Sequence, residues 1–313
     1  MSVPYRVVFM GTPAFAVPSL SALAASEEVT LVLTNPDRPS GRGQTLSSPP
    51  VKMEAQRLGL PVFQPEKAKH PDSVAMIAAE APDLIIVVAY GHILPKSILE
   101  IPKKGCINVH ASLLPKYRGA APINWAVARG EETTGITIMK MDVGMDTGPM
   151  LHVREMAIGD GDTAETLYPR LSLLGSEALI EALRMLHAGT LSETPQDDSL
   201  ATYAPMLKKE HGRIDWSKPA REVRNLIRGM TPWPSACASH EGKGLKVISA
   251  AVREDFPGTS GAPGEILEVG RDGIVVACGE GTLSLGQVQP EGGRPMASRA
   301  YAMGRRVQKG DRL

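Results

Sequence analysis

Two polar side chains at the end of an apolar run are well suited to carry chemistry. Asn108 and His110 stand two positions apart in Cys106–His110, so on an extended strand both project from the same face. A carboxylate, Asp146, follows the next apolar run in a glycine-containing loop at 141–148. An amide and a protonated imidazole stabilise the negative charge that develops on oxygen when an amine attacks a carbonyl carbon, and a nearby carboxylate favours the imidazolium form. The trio therefore predicts acyl transfer to an amine.

Acyl transfer by this trio requires neither a covalent intermediate nor a metal. The sequence presents no Ser or Cys nucleophile with a paired base, which favours direct attack by the acceptor. Three cysteines, Cys106, Cys237 and Cys278, are widely separated and form no CxxC pair. We expect them to be small buried hydrophobes rather than metal ligands or disulfides.

The elements that must position the trio alternate along the first 142 residues. Strand patterns at 5–10, 29–34, 84–89, 106–110 and 134–141 are separated by helical patterns that include 17–25, 51–60 and 74–81. This alternation predicts an α/β fold with a doubly wound, mostly parallel sheet of Rossmann-like type. Ligands bind beyond the carboxyl ends of the strands in such folds. We therefore expect His110 and the loop bearing Asp146 to meet at the same edge of the sheet.

The rest of the chain follows a different pattern. A helix at 163–188 ends before Gly189, and the polar stretch at 190–205 is typical of a linker. After it, short alternating runs separated by glycine turns predict a small, OB-like β-barrel. The predicted organisation is a catalytic domain at 1–189, a linker at 190–205 and a C-terminal barrel at 206–313.

Composition narrows the class of protein further. The 313 residues include 42% apolar and 22% charged residues, as in globular proteins, and contain no apolar run of membrane-spanning length. The start of the chain lacks a signal-peptide layout, so we expect a cytoplasmic protein. The formal net charge is zero, yet residues 206–313 hold 17 basic against 12 acidic side chains. That excess suits either an unevenly charged surface or a nucleic-acid-binding barrel.

Long stretches of the sequence resemble the methionyl-tRNA formyltransferases. The resemblance is carried by NVHASLLPKYRGAAPI at 108–123 and GMDTG at 144–148, and it extends to GTPAFA at 11–16, TNPDRPSGRG at 34–43, VAYGHILP at 88–95 and IDWS at 214–217. Ser-Leu-Leu-Pro and Asp-Thr-Gly are shared by the wider formyltransferase superfamily. The arginine-containing loop near residue 42 and the basic barrel point to the enzymes that act on tRNA.

The resemblance implies substrates and a site. It identifies Asn108, His110 and Asp146 with the catalytic trio of the family, 10-formyltetrahydrofolate with the formyl donor, and the methionine of charged initiator tRNA with the acceptor. Fold-level analogy suggests a monomer, and the expected chemistry needs no metal. The residues expected to form the folate pocket are Ser112, Leu113, Leu114, Pro115, Tyr90, Ile93, Leu94, Asp142 and Val143. Apolar walls with a few polar contacts suit a flat heteroaromatic ring.

Two basic features are expected to contact tRNA. The proline- and glycine-rich segment at 35–50 cannot continue a regular strand or helix, and the matching loop of the family inserts into the acceptor end of initiator tRNA. The residues expected to contact tRNA are Arg38, Gly41, Arg42 and Gly43 in this loop, and Arg221, Arg224 and Arg228 on one face of a C-terminal helix. Gln44 and Thr45 stand where relatives frequently have lysines.

Three other classes of function compete with this interpretation. A nicotinamide-dependent oxidoreductase is disfavoured because residues 11–16 are not GxGxxG and Asn35-Pro36 stands where a ribose-binding acid is expected. A non-catalytic RNA-binding module leaves the trio unexplained. The alternative that shares the trio is another folate-dependent enzyme, either a formyltransferase acting on an amino sugar or a glycinamide ribonucleotide, or a formyltetrahydrofolate hydrolase.

Overall fold

The computed structural model describes residues 3–40, 45–253, 261–271 and 273–313. The chain forms two compact units. The first comprises Met1–Pro122, Thr133–Ala157 and Tyr168–Ala204, and the second comprises Ile123–Glu132, Ile158–Leu167 and Pro205–Leu313. Gly41, Arg42 and Gly43, which were expected to contact tRNA, lie outside the described residues.

A seven-stranded sheet forms the centre of the first unit, with the strand order β10-β9-β7-β6-β1-β2-β5. β5, β2, β1, β6 and β7 are mutually parallel, as the alternating pattern predicted. The strands up to residue 204 are β1 Arg6–Gly11, β2 Glu28–Leu33, β3 Arg38–Ser40, β4 Thr45–Ser47, β5 Val62–Phe63, β6 Leu84–Val88, β7 Cys106–His110, β8 Arg118–Gly119, β9 Thr133–Lys140, β10 Met150–Ala157 and β11 Tyr203–Ala204.

Helices between these strands cover the sheet, whose central strands are almost wholly apolar because both faces are buried. The helices that begin before residue 204 are α1 Val17–Ser26, α2 Pro50–Arg57, α3 Pro71–Ala79, α4 Lys96–Leu99, α5 Pro122–Ala128 and α6 Ala164–His187, and those of the second unit are α7 Ala220–Gly229 and α8 Ser298–Arg305. Among the described helices, none is long and apolar enough to cross a membrane.

β9 runs antiparallel to β7, so that Lys140 is paired with Ile107 and Thr137 with His110. The loop at 141–148 therefore starts beside Ile107, at the end of β7 opposite to His110. The periodicity of apolar residues does not show whether two paired strands run parallel or antiparallel. The sequence therefore did not reveal that β9 is antiparallel to β7. The loop itself folds back toward β7, as the contacts of Asp146 show.

The polar stretch at 190–204 is hydrogen-bonded to the body of the first unit. Thr194 exchanges two backbone hydrogen bonds with Met150. Tyr203 and Ala204 form β11, which pairs with β8 at Arg118 and Gly119. This stretch is thus an ordered part of the first unit along much of its length.

The second unit contains two four-stranded antiparallel sheets with the orders β12-β13-β18-β19 and β14-β17-β16-β15. Side chains from both sheets and from α7 and α8 share one apolar core, including Leu245, Val276, Ile227 and Tyr301. Its strands are β12 Ala236–His240, β13 Lys243–Val247, β14 Ala250–Val252, β15 Ile266–Gly270, β16 Gly273–Ala277, β17 Thr282–Leu285, β18 Gln287–Pro290 and β19 Met296–Ala297. The predicted fold class, a doubly wound sheet followed by a small β-barrel, is confirmed.

Candidate active site

Asn108, His110 and Asp146 converge at the end of β7. Oδ1 of Asp146 lies 3.5 Å from Nδ2 of Asn108 and 3.7 Å from Nδ1 of His110. The second distance is that of an ion pair rather than a hydrogen bond. His110 is buried, whereas Asn108 and Asp146 are half-buried. The arrangement places an amide donor, an imidazole nitrogen and a carboxylate around one point.

The other nitrogen of His110 is already engaged. Nε2 lies 3.0 Å from the carbonyl oxygen of Tyr117. A carbonyl oxygen only accepts, so Nε2 must carry a hydrogen and donate it. Nδ1 is therefore the nitrogen that faces Asn108 and Asp146. Tyr117 has a positive φ of 62°, a conformation that turns the loop after β7.

The carboxylate of Asp146 is held by a backbone donor as well. The N–H of Gly119 donates to Oδ2 of Asp146 at 2.8 Å, which leaves Oδ1 for Asn108 and His110. Asp146 itself has a φ of 56°, in the left-handed region that Asp tolerates better than most residues. Gly148 cannot carry a side chain, because a Cβ there would lie 1.8 Å from the carbonyl oxygen of Lys140.

The loop after His110 is fastened to β9 by a buried threonine. Thr137 Oγ1 donates to the carbonyl oxygen of Ser112 at 2.7 Å and accepts the N–H of Leu114 at 3.1 Å. Ser112 Oγ donates to the carbonyl oxygen of Lys116 at 2.6 Å. Ser112 and Leu114 are buried, and Leu113 and Pro115 are half-buried. The Ser-Leu-Leu-Pro segment is thus a fixed wall beside the trio.

The other residues expected to bind folate fall into two groups. Tyr90 and Leu94 are buried in an apolar cluster, and burial raises the pKa of Tyr90 to about 12. Ile93 and Val143 are 87% and 73% exposed. Asp142 is exposed and accepts hydrogen bonds from the Gly144 N–H and the Thr147 hydroxyl within its own turn.

Asp37 ties together both ends of the arginine-containing loop. Its carboxylate accepts hydrogen bonds from Lys52 at 2.6 Å, Gln64 at 2.9 Å and Ser48 at 3.2 Å. These bonds lower the pKa of Asp37 below its usual value, and the bond from Lys52 is the largest cause. Arg38, the next residue, begins β3, which pairs with β4, and its side chain is exposed.

The loop after β6 contacts the start of the arginine-containing loop through His92. His92 Nε2 lies 2.8 Å from Oδ1 of Asn35. The N–H of Asn35 donates to the Thr12 hydroxyl at 3.4 Å, and that hydroxyl lies 3.5 Å from the carbonyl oxygen of Tyr90. The loops after β1, β2 and β6 are thereby connected along one edge of the sheet.

The three arginines of α7 line a cleft of about 480 Å³ in the second unit. Arg224 makes a bidentate ion pair with Asp160, with N–O distances of 2.6 and 2.7 Å, and this pair lowers the pKa of Asp160. Arg228 donates to the carbonyl oxygens of Asp162 and Gly159 at 2.6 and 2.8 Å. Arg221 is exposed. Arg224 and Arg228 thus hold the segment around residue 160.

Several residues that shape the trio were not singled out in the sequence. Thr137 carried a weak signal, because it is a polar residue inside an apolar strand. The carbonyl of Tyr117 and the N–H of Gly119 act through the backbone, so their side-chain types gave no signal. Gln196, which contacts the loop of Asp146, and Arg118, which contacts Gln196, are far apart in the sequence and meet through tertiary folding alone.

Models of two protein families match this chain. The one described as formyl transferase matches residues 5–183, and the one described as formyl transferase, C-terminal domain, matches residues 206–306. The methionyl-tRNA formyltransferase of Geobacter metallireducens is 51% identical over 308 residues, which cover 98% of both chains. That of Geobacter sulfurreducens is 52% identical over 309 residues, covering 98% of this chain and 96% of the relative.

Solved structures with a similar fold are much more distant in sequence. An N-formyltransferase from Helicobacter canadensis, in complex with folinic acid and dTDP-3-aminofucose, is 19% identical with a TM-score of 0.66, covering 90% of this chain and 99% of that one. HypX from Aquifex aeolicus in complex with tetrahydrofolic acid is 18% identical with a TM-score of 0.60. The match covers 95% of this chain and 47% of HypX. These likenesses concern the fold.

Proposed function

The chain belongs to the methionyl-tRNA formyltransferase family, and we propose that it transfers the formyl group of 10-formyltetrahydrofolate to the amino group of methionine on charged initiator tRNA. The observation that carries the proposed chemistry is the convergence of Asn108, His110 and Asp146 around one point. Folate-dependent formyl transfer needs such a point for the carbonyl oxygen and the incoming amine.

The proposed reaction is a direct attack. The methionine nitrogen bonds to the formyl carbon, and the electron pair of the C=O bond moves to oxygen. Asn108 Nδ2 and a protonated Nδ1 of His110 donate to that oxyanion, because these atoms face the same point. When the oxyanion collapses, the bond from the formyl carbon to N10 of the folate breaks. The attacking amine loses one proton, and N10 gains one.

Asp146 supports His110 in this scheme. With Nε2 donating to Tyr117, the imidazolium form requires a second hydrogen on Nδ1, and the carboxylate 3.7 Å away stabilises that charge. The contact is long for a hydrogen bond, so the carboxylate acts as a counter-charge while the Nδ1 hydrogen remains for the oxyanion.

The exposed apolar side chains of Ile93 and Val143 are the proposed contacts for the folate ring. Burial of two such side chains contributes roughly 1.5–3 kcal/mol each at most. Tyr90 and Leu94 are proposed to support the pocket from within the core, and Ser112, Leu113, Leu114 and Pro115 to form its fixed wall. Asp142 is proposed to shape the turn that presents Val143.

The tRNA contacts are proposed to come from Arg38 and the loop that Asp37 anchors, including Gly41, Arg42 and Gly43. Arg221 is the arginine of α7 best placed to contact a phosphate, because it is exposed. Arg224 and Arg228 donate hydrogen bonds to the segment around residue 160. We propose that these bonds fix the shape of the cleft that tRNA approaches. Binding that depends on such phosphate contacts weakens with salt.

Substrate comparison tests the proposal. The protein is incubated with 10-formyltetrahydrofolate labelled in the formyl group and, separately, with charged initiator tRNA, charged elongator methionine tRNA, a glycinamide ribonucleotide and a dTDP-linked amino sugar. The proposal predicts that label enters the methionine of initiator tRNA far faster than any other acceptor. Faster labelling of the ribonucleotide or the amino sugar would contradict it.

A further inference from the structure

The side-chain amide of Gln196 links the stretch at 190–204 to the loop of Asp146. Its Nε2 donates to the carbonyl oxygens of Asp146 and Gly148, at 2.8 and 2.7 Å. Its Oε1 accepts from Nε and Nη2 of Arg118, at 3.0 and 2.7 Å. Because a guanidinium only donates and a carbonyl only accepts, the partners fix which way the amide faces. Four hydrogen bonds therefore pass through one side chain.

Arg118 is a firm support for this amide. It is 2% exposed, and a buried guanidinium is costly unless its donors find acceptors. Besides Gln196, it donates from Nη2 to Oδ1 of Asp198 at 2.7 Å. Its backbone lies in β8, which pairs with β11 and so cannot shift freely. The network runs from a buried, paired cation to two carbonyl groups of the loop.

The loop of Asp146 needs such a support. Asp146 has a left-handed φ of 56°, and its neighbours Met145 and Val143 are 57% and 73% exposed. A left-handed residue is less stable than a right-handed one by roughly 1–2 kcal/mol, so the surroundings must hold it. The carboxylate has a short contact to the Gly119 N–H and longer ones to Asn108 and His110. Its direction thus depends on how its own backbone is fixed.

We infer that Gln196 is a positioning residue for formyl transfer: by tying the carbonyls of Asp146 and Gly148 to buried Arg118, it holds the Asp146 carboxylate toward Asn108 and His110. The inference rests on the proposed function, in which Asp146 supports the imidazole that stabilises the oxyanion. Gln196 itself touches neither substrate nor the reacting atoms in this account. It acts through the backbone of the loop.

Gln196→Glu is the most selective test. Glutamate keeps the length of the side chain and offers Arg118 an anionic partner, so the buried guanidinium stays paired. It has no hydrogen to donate, and its charge repels the carbonyl oxygens of Asp146 and Gly148. We expect kcat to fall by about 10-fold or more, because a small misplacement of a catalytic group is costly in rate. The KM for folate is expected to change by less than about twofold, and the thermal midpoint by little.

Ser199→Ala is the matched control, because the Ser199 side chain bonds to Asp197 within its own turn. It should keep the wild-type kcat. Asp146→Ala and the double variant Asp146→Ala/Gln196→Glu complete a cycle. If Gln196 acts through Asp146, the double variant should be no slower than Asp146→Ala. The ring signals of His110 in NMR should move in Gln196→Glu and stay in place in Ser199→Ala.

The outcomes distinguish a failure of the inference about Gln196 from a failure of the proposed role of Asp146. A wild-type kcat in Gln196→Glu, with Asp146→Ala impaired, would overturn the inference and leave the proposed function standing. Losses that multiply in the double variant would also overturn it, since Gln196 would then act independently of Asp146. A wild-type kcat in Asp146→Ala would instead remove Asp146 from the proposed mechanism.

Discussion

His110 donates from Nε2 to the carbonyl oxygen of Tyr117 across 3.0 Å, and this bond assigns the two nitrogens of the imidazole different tasks. Nε2 anchors the ring to the loop after β7. Nδ1 faces Asn108 and Asp146, where the reaction is proposed to occur. A substitution that replaces one nitrogen and not the other can therefore distinguish anchoring from chemistry.

His110→Asn and His110→Gln make this comparison. The amide of Asn lies near the position of Nδ1, whereas that of Gln reaches toward the position of Nε2. We expect both variants to lose roughly 10²-fold or more in kcat, with Asn the less impaired of the two, because the loss of one oxyanion donor costs that much. Steady-state kinetics check the order. His152→Asn, at a histidine paired with Glu181, is the control and should keep its activity.

Asp146→Asn removes the charge and keeps the shape. The amide oxygen can still accept from the Gly119 N–H, but the NH₂ group then faces Asn108 and His110. Two donors oppose each other, and the imidazolium loses its counter-charge. We expect a fall of about 10-fold or more in kcat with nearly unchanged folate binding, measured by steady-state kinetics and fluorescence titration. An unaltered rate would contradict the role of this charge.

Asp37→Ala should remove the hydrogen bonds that hold the two ends of the arginine-containing loop together. Three hydrogen bonds are lost at once, so we expect the KM for tRNA to rise by about threefold or more while the KM for folate stays constant. Asp72→Ala, at an exposed aspartate of α3, is the control. Equal changes in both KM values would count against a local role of Asp37.

The pH dependence of that variant follows from the direction of the shift. The pKa of Asp37 in the folded protein is lowered, so its stabilising contribution is present above the ordinary aspartate value and disappears as pH falls through the lowered one. Across about pH 6 to about pH 8 the carboxylate stays charged. The ratio of variant to wild-type KM for tRNA should therefore be constant over that interval, and a ratio that drifts toward one would contradict the assignment.

Arg42→Ala tests the loop itself, whose central residues lie outside the described part of the chain. We expect weaker use of initiator tRNA, an unchanged folate affinity, and a salt slope lower by about one, as for the loss of one phosphate contact. The measurement is kcat/KM for tRNA over a series of salt concentrations. Arg57→Ala, at an exposed arginine paired with Glu54, is the control. An equal loss for folate and tRNA would contradict the proposed task of Arg42.

The sequence predicted the fold, and the shared face of Asn108 and His110, for clear physical reasons. Strands buried on both faces are continuous apolar runs, so β1, β2, β6, β7 and β9 were recognised with ends within about two residues. Asn108 and His110 were paired because alternate residues of a strand share a face. Short elements such as β5 were missed, and so was α8, whose eight residues include few large apolar side chains.

What the sequence did not predict depends on tertiary structure. The reversal of β9 leaves no trace in its residue pattern, because a buried strand is apolar in either direction. The engagement of Arg224 and Arg228 with the segment around residue 160 was likewise hidden, since a helical face of arginines suits a phosphate and a neighbouring loop equally well. The link from Gln196 to Asp146 joins residues that are 50 positions apart.

Single-turnover formyl transfer by Asn108→Ala is the sharpest test of whether Asn108 and His110 stabilise one oxyanion. Enzyme in excess is mixed with labelled 10-formyltetrahydrofolate and charged initiator tRNA, and the transfer of label to methionine is followed after quenching. If Asn108 and His110 share one oxyanion, the rate of the chemical step should fall by roughly 10²-fold or more while folate affinity is retained. Transfer at the wild-type rate would contradict the account, because the amide that faces His110 and Asp146 would then contribute nothing to the reaction.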